Sequence, residues 1–155
     1  MNAMTYNFYG PSGSPNFTSP PAALYKTTAS QINADEGIRA WIGAGMNAKK
    51  IVLGLPFYGC AWKLVNANNH GLLAPAISEK GDRGYNQIRN KDSSTVFNGS
   101  VGTNYCYSRT PWIGYMIPKV CPLKFLTLKG KGCLVILLGM LELMIIGLFL
   151  EPVCD

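Results

Sequence analysis

The sequence predicts an α/β protein. Three observations carry this: an alternating aromatic stretch at residues 2–11, an amphipathic segment at residues 33–47 and a continuous apolar run at residues 50–64. Strand, helix and buried strand in that order make a βαβ unit.

Residues 2–11 read Asn-Ala-Met-Thr-Tyr-Asn-Phe-Tyr-Gly-Pro. Met4, Tyr6 and Phe8 alternate with Thr5 and Asn7, the period of a strand. Gly10 and Pro11 close it. Residues 10–32, rich in Gly, Pro, Ser and Thr, form a long loop over the strand's carboxyl end, where α/β barrels collect their binding residues. Asn33 is the N-cap of the helix, with Asp35 and Glu36 in its first turn, where the helix dipole favours acids. Ile38, Trp41 and Ile42 share one face, and Gly43, Gly45 and Asn47 end it. Residues 50–64, Lys-Ile-Val-Leu-Gly-Leu-Pro-Phe-Tyr-Gly-Cys-Ala-Trp-Lys-Leu, suit a strand buried on both faces of a parallel sheet.

Residues 65–83 read as loop. Residues 83–90 suit a short helix with Tyr85 and Ile88 on one side. Residues 94–97, 103–107 and 111–115 alternate aromatic and β-branched residues between Asn-Gly, Val-Gly and Arg-Thr-Pro turns. They predict a small antiparallel sheet, and hence a small α+β subdomain inserted after the buried strand. The expected division is 1–64, 65–115 and an apolar tail, 116–155.

The tail changes character. Residues 133–150 carry a single charge, Glu142, and follow Lys124, Lys129 and Lys131. At face value this is a membrane-spanning helix. Glu142 would cost it roughly 2.5–3.5 kcal/mol at mid-span.

Composition sets bounds. At 155 residues the chain is one ordinary domain, whereas a whole α/β barrel takes about 250. The net charge is +6, but only 14% of residues are charged and the basic ones are scattered. No basic helix or aromatic–basic pattern of a nucleic-acid binder is present, so no nucleic-acid partner is expected. Cys60, Cys106, Cys121, Cys133 and Cys154 form no CxxC, and His70 is the only histidine. Neither a metal nor a cofactor is expected. His70 reads as a solvated loop residue. Sequons at Asn16 and Asn98 permit glycosylation in a secreted chain. No basic segment followed by an apolar core opens the sequence, so no signal peptide is expected.

Three motifs carry a resemblance. Residues 2–11 resemble the Met-x-Tyr-Asp segment of family 18 glycoside hydrolases, in the form seen in plant class V chitinases. Residues 49–64 resemble the next barrel strand, with its Gly-x-Pro-x-Tyr-Gly core and following Trp. Residues 105–107 and 112–115, Tyr-Cys-Tyr and Trp-Ile-Gly-Tyr, resemble the end of that family's inserted subdomain. The resemblance covers residues 1–115 and implies an incomplete (β/α)8 TIM barrel, its last strands and helices only, starting at the sixth strand.

It also implies a chemistry. The family hydrolyses chitin, a β-1,4-linked N-acetylglucosamine polymer. The substrate's own acetamide oxygen attacks the anomeric carbon, and no sugar–protein bond forms. Tyr6 matches the tyrosine that holds the acetamide carbonyl in line, and Met4 a residue beneath the same subsite. Asn7 stands where the family has Asp; an amide can hydrogen-bond a sugar but carries no charge. Tyr58 and Trp62 are the other expected substrate contacts; in a non-catalytic binding reading Tyr6, Tyr58, Trp62 and Trp112 would stack on sugar rings. The bland reading makes Trp41, Trp112 and also Trp62 core residues. The family's Asp-x-x-Asp-x-Asp-x-Glu motif, source of the general acid, is nowhere in the sequence. The nearest acidic pair, Asp35-Glu36, is explained as a helix first turn. The chain is therefore expected to be inactive, marginally stable and aggregation-prone, with chitin or an N-acetylglucosamine oligosaccharide as its implied partner. Intact relatives are implied to be extracellular or vacuolar; no address is expected in this sequence, and its localisation is left open.

The tail has its own reading. The family's Trp-Ile-Gly-Tyr is followed by Asp-Asp, and here Met116-Ile117 follows. A Met-Ile codon pair preceded by G reads Asp-Asp one frame over. Permitted synonymous codons let residues 132–147 be read as Leu-Leu-Gly-Tyr-Phe-Ala-Trp-Asp-Val-Gly-Ala-Asp-Asp-Asn-Trp, which resembles the family's eighth strand. Residues 116–155 are thus expected to be frameshifted, and membrane insertion is disfavoured. Two other readings stand beside the inactive hydrolase: a non-catalytic chitin-oligosaccharide-binding remnant, and a tail-anchored membrane protein.

Overall fold

The computed structural model describes residues 1–29, 31–56, 58–84, 93–116, 130–131 and 134–135. The first layer is a three-stranded sheet of β1 (Asn2–Ala3), β2 (Val52–Leu53) and β8 (Leu134–Val135), in the order β1-β2-β8. All pairings are parallel, with Asn2 opposite Val52 and Val52 opposite Leu134.

Helix α1 (Ala34–Gly43) joins β1 to β2. Asn33 caps it as expected: its Oδ1 accepts from the Glu36 N–H at 3.0 Å, and its Nδ2 donates to Glu36 Oε2 at 2.8 Å. The first bond is the N-cap bond of a capping box; the return contact differs, because Glu36 accepts from the Asn33 side-chain amide instead of its backbone N–H. The next orphan donors, Ala34 and Asp35 N–H, bond the carbonyls of Ala23 and Leu24 in the preceding loop. Gly45, at φ +93°, takes the left-handed turn past the helix end. Ile38 is buried against Ile51 and Leu53. Trp41, expected on the same face, is 51% exposed and lies at the flank of the buried stripe.

Asp35 is the electrostatic knot of this layer. Arg39 Nε lies 2.7 Å from Oδ2 and Lys131 Nζ 2.6 Å from Oδ1. Burial pushes the carboxyl pKa up, but hydrogen bonding and charge from Lys131 and Arg39 together outweigh it and hold the pKa below its usual value.

Two expected strands are corrected. The first extends only over Asn2–Ala3. Beyond it Thr5 Oγ1 donates to the Gly54 carbonyl at 2.8 Å, and Asn7 adopts φ +58°, so the chain leaves the sheet. The run at 50–64 is not one strand of a parallel sheet. It divides after Leu53, because Pro56 has no N–H with which to continue a ladder. The later part, β3 (Tyr58–Leu64), belongs to a second sheet.

That second sheet has five antiparallel strands in the order β4-β3-β7-β6-β5. Strands β5 (Ser94–Asn98), β6 (Thr103–Tyr107) and β7 (Pro111–Tyr115) lie where the turn signals put them. Strand β4 (Ala76–Gly84) runs through a stretch expected to be loop, and it takes Arg83 and Gly84 from the expected helix. The remaining residues of that helix, 85–90, lie outside the described residues. Trp62 and Trp112 face each other across β3 and β7, both 0% exposed, with ring centroids 5.5 Å apart. Tyr105 stacks on Trp112 at 5.2 Å. Behind β6, burial pushes the Cys106 thiol up to about 11, and a hydrogen bond with Ser93 opposes this. His70 is not a solvated loop residue: its ring stacks on Tyr107 at 3.8 Å, and its carbonyl accepts from Trp112 Nε1.

Of the apolar tail, residues 117–129, 132–133 and 136–155 lie outside the described residues. Among the described residues no helix is long and apolar enough to cross a membrane. The pairing of Leu134–Val135 with β2 uses backbone groups, which any pair of residues other than proline can supply.

Candidate functional site

The site forms where the chain leaves β1. Gly54 N–H donates to the Ala3 carbonyl at 2.9 Å, and Thr5, 5% exposed, bonds back to the Gly54 carbonyl. These bonds fix the backbone leading into Tyr6. Its ring lies over Gly54: a Cβ there would stand 2.6 Å from Tyr6 Cε1 and 3.3 Å from the Ala3 oxygen. Only glycine leaves this space.

Tyr6 then meets Tyr58 edge-on, with centroids 6.4 Å apart and planes at 88°. Tyr58 is 6% exposed, and its hydroxyl donates to Asn7 Oδ1. Asn7 is exposed and takes the left-handed backbone that asparagine tolerates. Tyr6, Asn7 and Tyr58 therefore make one polar-aromatic group.

A cleft of about 490 Å³ opens beside Asn7. Asn7, Tyr9, Ser12, Ser14 and Cys60 line it together with the Gly10–Gly13 turn. The turn is closed by Gly13 and Ser14 N–H on the Gly10 carbonyl. Trp62 holds it from beneath, its Nε1 donating to the Ser14 carbonyl at 2.8 Å. Trp62 was expected to stack on sugar; at 0% exposure it offers no open face and acts as the loop's support. Met4 also stands apart from the group. It is 74% exposed and lines a separate apolar groove with Ile32 and Trp41.

Gly54, Thr5 and Cys60 escaped the sequence reading. Gly54 sits inside the Gly-x-Pro-x-Tyr-Gly core, which marks it, but nothing local says that Tyr6 rests on it. Among the described residues, no group of three His, Cys, Asp or Glu could hold a metal ion.

The chemistry open to this group is positioning. Hydroxyl and amide can orient a polar ligand, but neither serves as a carboxylic proton donor. The acidic pair on α1 is engaged elsewhere: Asp35 with Arg39 and Lys131, Glu36 with Lys26 and Asn33.

The sequence model of glycosyl hydrolases family 18 matches residues 1–134. The class V chitinase of Arabidopsis thaliana is 49% identical over 123 residues, 74% of this chain and 32% of that protein. The class V chitinase from Nicotiana tobaccum, also solved as a mutant in complex with NAG4, superposes with a TM-score of 0.83 at 41% identity. The match covers 90% of this chain and 42% of the tobacco chain. The chitinase-like agglutinin RobpsCRA from Robinia pseudoacacia gives 0.81 at 38% identity over 88% of this chain and 40% of its own. The chain spans about a third of the length of the curated relatives it matches.

Proposed function

The chain belongs to family 18 of the glycosyl hydrolases, and from that premise we propose that it carries the acetamide-positioning half of a chitin-oligosaccharide site without the proton-donating half. The observation that supports this most is the joined group of Tyr6, Asn7 and Tyr58. Tyr6 orients the acetamide carbonyl of an N-acetylglucosamine unit, which is positioning catalysis. Asn7, held by Tyr58, hydrogen-bonds the same unit in place of the family's Asp. The general-acid motif is not among the 155 residues, and loss of such an acid typically removes about 10²–10⁴-fold of rate. By itself this chain binds and does not cleave. The barrel segment it supplies is an incomplete (β/α)8 barrel, with the antiparallel sheet as the family's insertion.

A binding role gains support from the similarity to RobpsCRA, a chitinase-like agglutinin. Calorimetric titration with N-acetylchitotetraose tests the reading. Wild type is expected to bind, and Tyr6→Phe and Tyr58→Phe to weaken binding several-fold. No heat of binding at all would overturn it.

Residues 116–155 are proposed to be translated in a shifted frame. Sequencing the transcript across the Tyr115 codon tests this: G followed by the Met-Ile codons, with an open alternative frame, is expected. An alternative frame interrupted by stop codons would contradict it.

A further inference from the structure

The two sequons, Asn16-Phe17-Thr18 and Asn98-Gly99-Ser100, take no part in the group around Tyr6. An asparagine accepts an N-linked glycan through its side-chain nitrogen, and a transferase reads the hydroxyl two residues on. Both atoms must be within reach, and the fold treats the two pairs in opposite ways. At the first sequon it consumes the hydroxyl. Asn16 is exposed, but Thr18 is 0% exposed. Thr18 Oγ1 donates to the Gly71 carbonyl at 2.8 Å and accepts from the Ala74 N–H at 3.0 Å. The backbone is paired as well. Thr18 N–H donates to the Ala74 carbonyl, the Asn16 carbonyl accepts from Ala76 N–H, and Phe17 bridges to Pro75. Reaching the Thr18 hydroxyl therefore means pulling residues 16–18 away from residues 71–76.

At the second sequon the fold leaves the pair outside. Asn98 ends β5 and opens the turn into β6, and Gly99 and Ser100 are exposed. Ser100 Oγ donates to Asn98 Oδ1 at 2.7 Å, and Val101 N–H donates to the same oxygen at 3.2 Å. A backbone N–H can only donate, so it fixes which end of the amide is oxygen. The other end, Nδ2, has no protein partner among the described residues. Gly99 puts no side chain between amide and hydroxyl. The turn is also seated from behind. The Val101 carbonyl accepts from Leu24 and Tyr25 N–H at 3.0 Å each, and Gly102, at φ +65°, lies where a Cβ would stand 2.8 Å from Leu24 Cβ.

We propose that Asn98 is the N-glycan acceptor of the folded chain, taking an oligosaccharide from a lipid-diphosphate donor, and that folding closes Asn16. In the transfer Asn98 Nδ2 attacks the anomeric carbon of the donor sugar. The nitrogen–carbon bond forms and the carbon–oxygen bond to the diphosphate breaks. The lipid diphosphate leaves with the bonding electrons, and one amide proton passes to the transferase. Nothing is oxidised or reduced.

The test incubates the native full chain with an oligosaccharyltransferase and a lipid-diphosphate oligosaccharide, and maps intact glycopeptides by mass spectrometry. Oligosaccharide on Asn98 and none on Asn16 is the expected result. A peptide of residues 12–24, added to the same reaction, is expected to be modified at Asn16, because nothing there buries Thr18. Ser100→Ala, at an exposed position, is expected to abolish transfer to Asn98 and to leave the thermal melt unchanged. A modified peptide beside an unmodified Asn98 would overturn the proposal. So would transfer to Asn16 of the native chain to the same extent, or a glycan on Asn98 that survives Ser100→Ala. A peptide that stays unmodified would show that the sequence around Asn16, and not the fold, keeps it empty, and the second half of the proposal would fall.

Discussion

Tyr58 donates its hydroxyl proton to Asn7 Oδ1 across 51 residues of sequence, joining the start of the antiparallel sheet to the loop after the first parallel strand. Asn7 sits in left-handed backbone and is exposed, so this bond is what orients its amide. Tyr58→Phe removes the donor and keeps the ring. The expected loss is about 0.5–1.5 kcal/mol of oligosaccharide binding, read by calorimetry, with little change in the melt. Unchanged affinity would mean that Asn7 is positioned by something else.

Gly54 should tolerate no side chain while Tyr6 remains. Ala at 54 places a Cβ 2.6 Å from Tyr6 Cε1, and overpacking of this kind costs about 1–3 kcal/mol. Urea denaturation of Gly54→Ala is expected to show that loss. The double variant with Tyr6→Ala is expected to recover most of it, because the clashing ring is gone. No recovery would place the strain on the Ala3 carbonyl instead.

Two of the three tryptophans should separate cleanly. Trp112, fully buried between Trp62 and Tyr105, is expected to cost about 3–5 kcal/mol when cut to Ala. Trp41, half exposed on α1, is expected to fall in the surface range, within about 0.5 kcal/mol for stability of the chain alone. Equal effects would contradict the placement of α1.

The Asp35 cluster should make the fold acid-sensitive. A carboxyl whose pKa is lowered on folding stabilises above its unfolded value, and that stability is lost as pH falls through the folded one. Unfolding midpoints measured from pH 7 down to pH 3 are expected to drop for the wild type below the ordinary aspartate range. For Asp35→Asn the curve should be flatter. Parallel curves would remove Asp35 from the account.

Cys106 should be inert while the chain is folded. With its thiol pushed up to about 11 by burial, the thiolate at pH 8 is about one part in a thousand. Peptide mapping after brief alkylation is expected to leave Cys106 unlabelled until denaturant is added. Rapid native labelling would contradict its burial.

Local chemistry made part of this structure legible. The Asn33 cap and the strands at 94, 103 and 111 were readable because turn residues and a capping pair act over three or four positions. The pairing partners were not. Val52–Leu53 and Tyr58–Leu64 form one apolar run in sequence, and only Pro56 hints that they serve different sheets. Strand β4 was missed because Ala76–Gly84 is polar and edge-like, with no alternation to read. Trp62 looks like a sugar platform in sequence, and its burial follows from Trp112, which lies opposite it on another strand. Tyr6, Asn7 and Tyr58 were singled out in the sequence and the fold brings them together, but the seat under Tyr6 and the support under Ser14 are tertiary facts.

The central claim is that this chain holds a sugar-positioning group without a proton donor. The most direct test incubates the purified full chain with N-acetylchitotetraose and follows products by mass spectrometry. The expected result is intact tetramer throughout, at concentrations where calorimetry shows binding. Shorter oligomers that disappear when Tyr6 is changed to Phe would show that the chain cleaves, and the claim would fall.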